Sequence, residues 1–244
     1  MHKRKNYFLL VIPARYKSKR FPGKPLAKIK NIPMIKRTYM RCLMATKKKN
    51  IVVATDDIRI KKYCINNDIP VILTSKRCLT GTDRIIDVAK KKKFDFYINI
   101  QGDEPIFNPS DIKNIIKKMK KYPKHILNGY CEIKDKKTFE SKDIPKVIIG
   151  KNSDLLFMSR KPIPNNSFNK KLKIFPLRQV CAYSYPRELL LKFSRKQKTY
   201  LENLEDIEIL RFLELGISVK MLKMSSVSIS VDRPKDIKKV EKKL

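Results

Sequence analysis

Short apolar runs alternate with helical patterns through the first 75 residues of this 244-residue chain, and that rhythm leaves few folds open. Tyr7–Ile12, Ile51–Ala54 and Val71–Leu73 are continuous apolar runs of the kind that form strands buried on both faces. Between them, Pro33–Met44 predicts a helix with Pro33 in its first turn. Asp56 or Asp57 is placed to cap a second helix running to about Asn66. Strand, helix, strand, helix implies a parallel sheet with right-handed crossovers. Phe96–Ile100 reads as a fourth strand.

The first run ends at Pro13, which has no N–H to donate and predicts that pairing stops there. Ala14 leads into a loop carrying Arg15, Lys17, Lys19, Arg20 and Lys24, punctuated by Pro22, Gly23 and Pro25. A buried strand that empties into a basic loop is the layout of a nucleotide site, since ligands of α/β sheets sit beyond the carboxyl ends of the strands. The cations suit a triphosphate, to which arginine can offer two parallel N–H bonds. Charge alone leaves an ordinary solvated turn equally open.

Two later blocks fit the same picture. Thr80-Gly-Thr-Asp-Arg84 opens a helix reaching the Lys90–Lys93 run, with Thr82 as the expected N-cap and free N–H groups for an anion. Gln101-Gly-Asp-Glu-Pro105 ends the fourth strand. A carboxylate there, beside a triphosphate, is placed to hold Mg²⁺, a hard ion that takes one or two carboxylates plus phosphate oxygens. Gly102 predicts a close approach of backbone to ligand. Asn108 is the expected cap of the next helix, whose stripe is Ile112, Ile115, Ile116 and Met119.

From about Lys134 the rhythm breaks. Lys146–Ile149, Leu155–Met158 and Val180–Tyr183 read as strands, the first two forming a hairpin across Gly150–Asp154. Pro162–Lys171 reads as a loop. We therefore expect one α/β domain over 1–244 with a central mixed sheet, in three layers, and a small antiparallel insertion at 134–185. Leu201–Leu215 predicts a single helix stopped by Gly216, with Leu204, Ile207, Leu210 and Leu215 in the core. Its acids Glu202, Glu205, Asp206 and Glu214 read as a solvated face. Val219–Met224 is a further strand, and Asp232 is expected to end another strand just before a terminal helix opened by Pro234.

A net charge of +35 invites a nucleic-acid-binding reading. Against it, the cations are spread along the whole chain, and 44 of them are lysine against 14 arginine. There is no tryptophan, and no aromatic ladder among basic residues for base stacking. The six-residue apolar run near the N-terminus is too short for a signal-peptide core, and no run approaches a membrane span. The expected location is cytoplasmic. Five scattered cysteines without a Cys-x-x-Cys pair read as reduced thiols, and a complement of only two histidines argues against a Cys/His zinc site. No glycine-rich dinucleotide motif or P-loop is present.

Seven blocks, in order between Val11 and Lys239, resemble the 3-deoxy-manno-octulosonate (Kdo) cytidylyltransferase family of sugar-acid cytidylyltransferases. They are Ile12-Pro-Ala-Arg15 with Pro22-Gly-Lys-Pro-Leu26, Gly81-Thr-Asp-Arg84, Gln101-Gly-Asp-Glu-Pro105, Met158-Ser-Arg-Lys-Pro-Ile-Pro164, Arg178-Gln-Val-Cys-Ala-Tyr183, Ile207-Glu-Ile-Leu-Arg211 and Ser230-Val-Asp-Arg-Pro234. The resemblance implies an α/β nucleotidyltransferase that joins CTP to a 3-deoxy-ulosonic acid, giving a CMP-sugar and pyrophosphate, for lipopolysaccharide or another surface polysaccharide. It implies a homodimer formed through the 134–185 segment. It places Pro13, Ala14, Arg15, Arg20, Lys24, Thr82, Arg84 and Asp103 beside CTP, and Asp103 and Asp232 on Mg²⁺. It places Gln101, Arg160, Gln179, Tyr183 and Glu208 beside the sugar acid. Two positions depart from the pattern: Gln179 stands for a histidine and Ile209 for a glutamine. Only histidine titrates near neutrality, and a changed hydrogen-bond partner alters specificity. The acceptor is therefore open between Kdo, an amino-substituted relative and another nonulosonic acid.

Overall fold

A computed structural model describes residues 7–18, 20–78, 80–164, 175–194 and 197–244. Lys19 and most of the loop expected after Pro162 lie outside the described residues. The chain divides into two compact units, one of residues 1–118 with 227–244 and one of residues 119–226.

The first unit is built on β1 (Phe8–Ala14), whose Leu10, Val11 and Ile12 are fully buried. A tight hairpin follows, β2 (Lys28–Ile29) and β3 (Ile32–Pro33). Its two turn residues, Lys30 and Asn31, both have positive φ (40° and 64°), as a two-residue hairpin turn demands. Then come α1 (Met34–Leu43), β4 (Ile51–Thr55), α2 (Ile58–Asn66), β5 (Val71–Leu73), α3 (Gly81–Lys91), β6 (Phe96–Ile100) and α4 (Pro109–Lys121). The strands run parallel in the order β6-β1-β4-β5, as the alternating pattern predicts. Asp57 caps α2 by accepting from Arg59 N, and Asn108 Oδ1 accepts from Ser110 N at the start of α4.

Pro13 does not end the strand as expected. Pairing with β6 stops at Val11, but pairing with β4 continues to Ala14. A proline removes one donor, and a strand flanked on both sides offers alternate donors to alternate neighbours, so one ladder can persist. The N-cap of α3 is Thr80 rather than Thr82: Thr80 Oγ1 accepts from Asp83 N at 3.1 Å, and Asp83 returns the bond to Thr80 N at 3.0 Å. This reciprocal box satisfies two orphan helix donors at once.

The second unit holds β7 (Ile126–Glu132), α5 (Lys136–Glu140), β8 (Lys146–Ile149), β9 (Leu155–Ser159), β10 (Leu177–Pro186), α6 (Arg187–Ser194), α7 (Tyr200–Glu205), α8 (Ile209–Glu214) and β11 (Val219–Lys223). β8 and β9 form the expected antiparallel hairpin, and β8 also pairs with the start of β10. β10 runs antiparallel and β11 parallel to β7, so the sheet here is mixed. The chain then returns to the first unit as α9 (Lys235–Glu241). There Val231 and Val240 pack with Ile29, Met34 and Ile106 in one apolar cluster.

The single helix expected over 201–215 is two. Asp206 takes a left-handed conformation (φ 51°, ψ 46°) between α7 and α8, and Gly216 (φ 69°) closes the second. Arg160 stabilises the break: Nε donates to Glu205 O at 2.8 Å and Nη2 to Asp206 O at 2.9 Å. These carbonyls would otherwise continue the helix ladder. Of the four acids, Asp206 and Glu214 are exposed as expected, but Glu202 and Glu205 are not part of a solvated face. Glu205 accepts from Ser159 Oγ and Arg160 N, both at 2.8 Å. Glu202 is buried in a two-bond pair with Arg211, whose guanidinium also lies 3.7 Å from the Phe193 ring centre. Leu204, by contrast, is exposed.

Removing one partner of a buried ion pair leaves the other charge uncompensated, at a cost of about 3 kcal/mol. Glu202→Ala is therefore expected to lower the melting temperature by roughly 6 °C or more. Thermal denaturation followed by circular dichroism would show this, and an unchanged melting curve would contradict it.

Candidate active site

The carboxyl ends of β1 and β6 and the start of α3 are brought together by two glycines. A Cβ on Gly102 would lie 2.7 Å from the Pro13 carbonyl oxygen, and one on Gly81 would lie 3.3 Å from Gln101 Nε2. Gly102 thus permits a close approach of the protein's own β1. Thr38 Oγ1, 3.1 Å from Gly102 O, fixes the same turn to α1.

On this base two carboxylates meet one cation. Lys24 Nζ lies 2.5 Å from Asp103 Oδ2 and 3.7 Å from Asp232 Oδ1. Arg20 Nη2 donates to Asp232 Oδ1 at 2.7 Å. The two aspartates are distant in sequence, and the backbone joins them: Val231 N donates to Asp103 O at 2.9 Å. The apolar cluster under α9 holds Val231, and so Asp232, in place. Lys24 is well enclosed, with 14% of its side chain exposed against 46% for Arg20. Two adjacent carboxylates repel unless a cation lies between them. The donor set therefore fits a hard divalent ion whose shell phosphate oxygens would complete.

The basic loop is clamped by Gly23 and by Tyr16 and Arg59, the last two carrying no sequence signal. Gly23 has φ 71° and donates from its N to Tyr16 O at 2.9 Å. The Arg59 guanidinium lies 3.3 Å from the Tyr16 ring centre and is held from behind by Asp57. This stacks a cation on an aromatic face and stiffens the loop. Arg15 is exposed on it, while Pro13 and Ala14 are buried strand residues.

The other expected nucleotide residues sit deeper. Thr82 is buried on the first turn of α3. Arg84 is buried too, its Nη1 donating to Thr74 Oγ1 at 2.5 Å and lying 3.3 Å from Asp56 Oδ1. That guanidinium ties α3 to the ends of β4 and β5.

In the second unit, three of the expected sugar-facing residues are neighbours. Gln179 Nε2 donates to Tyr183 Oη at 3.1 Å. Burial first, then the nearby Cys181, Tyr185 and Glu208, push the Tyr183 phenol well above its ordinary pKa, so it stays protonated. Glu208 stands at the N-cap of α8. Arg160 is not among them: its guanidinium is spent on the carbonyls of Glu205, Asp206 and Lys142. Arg160 O in turn accepts from Lys146 Nζ, a buried ammonium that also donates to Ser141 O and Ile144 O, both at 2.8 Å. Burial lowers the Lys146 pKa from its ordinary value.

Asp232 does not end a strand as expected; it lies in the segment between β11 and α9. A parallel sheet whose first strand opens into a clamped basic loop, with two carboxylates facing one lysine, defines an α/β nucleotidyltransferase. The solved structure of a CMP:2-keto-3-deoxy-manno-octonic acid synthetase complexed with CTP has this fold, with a TM-score of 0.90, 32% identity and 97% of each chain covered. Residues 9–224 match the family described as Cytidylyltransferase, and the chain belongs to it. It is similar to the mitochondrial 3-deoxy-manno-octulosonate cytidylyltransferase of Arabidopsis thaliana, 36% identical over 235 residues, which span 95% of this chain and 81% of that one. It is also similar to an 8-amino-3,8-dideoxy-manno-octulosonate cytidylyltransferase of Shewanella baltica, 38% identical over 241 residues, covering 96% and 97%.

Adding a methyl at residue 102 would push it into the Pro13 carbonyl, a backbone atom that cannot swing aside. Gly102→Ala is expected to cost about 1–3 kcal/mol and to weaken nucleotide binding through displacement of Asp103. Calorimetric melting and CTP titration check both effects.

Proposed function

We propose that the protein condenses CTP with a 3-deoxy-ulosonic acid, foremost Kdo, to give a CMP-sugar and pyrophosphate. The observation that carries this reading is the convergence of Asp103 and Asp232 on Lys24 at the mouth of a basic loop. The anomeric hydroxyl oxygen of the sugar acid bonds to the α-phosphorus of CTP. The bond from that phosphorus to the bridging oxygen of the β-phosphate breaks, and pyrophosphate carries the electron pair away. The hydroxyl proton passes to solvent. Phosphoryl transfer asks little covalent work of a protein, so positioning and charge stabilisation are its contributions.

In this reading Arg15, Arg20 and Lys24 hold the triphosphate and stabilise charge growing on pyrophosphate, with Pro13, Ala14 and Thr82 shaping the nucleotide's seat. Asp103 and Asp232 would hold Mg²⁺, which when bound lowers the nucleophile's pKa and clamps the α-phosphate. Lys24 then exchanges carboxylate for phosphate, moving one charge-assisted bond to another partner rather than losing it. Gln101, Gln179, Tyr183 and Glu208 meet the sugar acid. Arg84 and Arg160 are spent on internal partners, Arg84 on Thr74 and Asp56 and Arg160 on the break between α7 and α8.

The Shewanella relatives give an 8-amino-substituted acid a specific claim as the second acceptor. A homodimer through the 134–185 segment is consistent with exposed Leu156 and Phe175. A cytoplasmic place of action fits the five free cysteines and the use of CTP. Among the described residues no helix is long and apolar enough to cross a membrane. The product would feed lipopolysaccharide or another surface polysaccharide.

A pyrophosphate-release screen of the four NTPs against Kdo, 8-amino-Kdo and a sialic-type acid tests the reading. CTP with one of the first two is expected to give turnover; turnover only with a sugar 1-phosphate would defeat it. Asp103→Asn and Asp232→Asn should each lower kcat by about 100-fold or more, as losing a group that stabilises transition-state charge does. A change under tenfold in either would remove that aspartate from the chemistry.

A further inference from the structure

The β7–β10 ladder carries a defect with a buried amide inside it. Val180 pairs with Gly129 and Tyr183 with Asn128, so Cys181 and Ala182 have no partner residues on β7. Such a bulge leaves strand carbonyls without ladder donors, which is costly where water is absent. Asn128, 1% exposed, meets the need: its Nδ2 donates to Val180 O at 3.1 Å and to Ala182 O at 3.0 Å.

Those two bonds set the direction of a chain of amides. Carbonyl oxygens only accept, so the side of Asn128 facing them has to be its NH₂. Its Oδ1 therefore points the other way, and it accepts from Gln179 at 3.0 Å. An acceptor there requires that Gln179 present its NH₂, and the same Nε2 donates to Tyr183 Oη. Both N–H bonds of Gln179 are then committed inward. What Gln179 retains for a ligand is Oε1, which can only accept.

We propose that Asn128 is a positioning residue of the sugar-acid site, fixing Gln179 as an acceptor toward the substrate and Tyr183 beside it. This rests on the function proposed above. It gives the site a chemical preference: the group that meets Gln179 is a donor, a hydroxyl or an ammonium, with the Glu208 carboxylate close to the same phenol. A bare carboxylate or carbonyl of the substrate would not be accepted at that point. Neither Asn128 nor the direction of the Gln179 amide is readable from the motif blocks.

Four variants test it at pH 8. Gln179→Leu should raise the KM of the sugar acid about tenfold, the scale of one lost hydrogen bond in a closed site, with the KM of CTP within about twofold. Asn128→Ser should act in the same direction, and the Asn128→Ser/Gln179→Leu double variant should be no worse than Gln179→Leu alone, because the two act as one unit. Full additivity, or an equal rise in both KM values, would overturn the proposal. Gln179→Glu separates direction from mere packing. A carboxylate facing Asn128 Oδ1 sets acceptor against acceptor, so this variant should melt several degrees below Gln179→Leu. If it melts at or above Gln179→Leu, the amide points the other way and the inference fails. The melting comparison decides the matter even if Asn128→Ser does not fold. It also decides it if the wild type turns over no sugar acid, a result that would count against the proposed function instead.

Discussion

A single lysine ammonium between two aspartates organises the first unit. Lys24 reaches Asp103 from β6 and Asp232 from the segment before α9, so one charge ties the basic loop, a central strand end and the return of the chain to a common point. Carboxylates that share a site repel, and here Lys24 faces both while Arg20 neutralises Asp232 as well. The rest of the unit is arranged to keep that geometry. Gly102 lets β6 turn under Pro13, Val231 donates to Asp103 O, and Arg59 stacked on Tyr16 keeps the loop from folding away. The same arrangement holds the two carboxylates ready around a cation before any ligand arrives, which is what electrostatic preorganisation means in practice.

How much of this is legible in the chain depends on the range of the signal. The parallel strands can be read because burial on both faces writes continuous apolar runs such as Leu9–Ile12. The convergence of Asp103 and Asp232 is anticipated only through the family blocks, since no local pattern says that two such distant segments meet. Local signals also mislead. Thr80-x-x-Asp83 is a capping box in plain view, yet Thr82 attracts the assignment because it precedes the apolar stripe. The β2–β3 hairpin escapes notice because Lys30-Asn31 lacks the glycine that usually marks left-handed turns.

The larger misreading, a single helix over 201–215, has a tertiary cause. Helical periodicity and composition favour continuity there, but the carbonyls at the break are taken by Arg160, which comes from the end of β9. Propensity is a weak prior against such a contact. Two of the acids are misjudged for the same reason: Glu202 and Glu205 have partners from elsewhere in the second unit, and sequence shows charge without showing partners. A motif can fix which residue occupies a position while leaving its work open. Arg160 belongs to a block that implies a ligand for a carboxylate, and here its guanidinium secures backbone.

The discontinuity of the first unit also bears on how it is made. Its sheet emerges from the ribosome early, but Val231, Asp232 and α9 come only after the whole intervening unit has been synthesised. During that interval the nascent chain exposes the apolar faces of Ile29, Met34 and Ile106, which Val231 and Val240 later cover. An exposed patch on a partly built sheet invites non-native association. Early-folding strands are thus left waiting for a late tail, and chaperone demand should peak in that window.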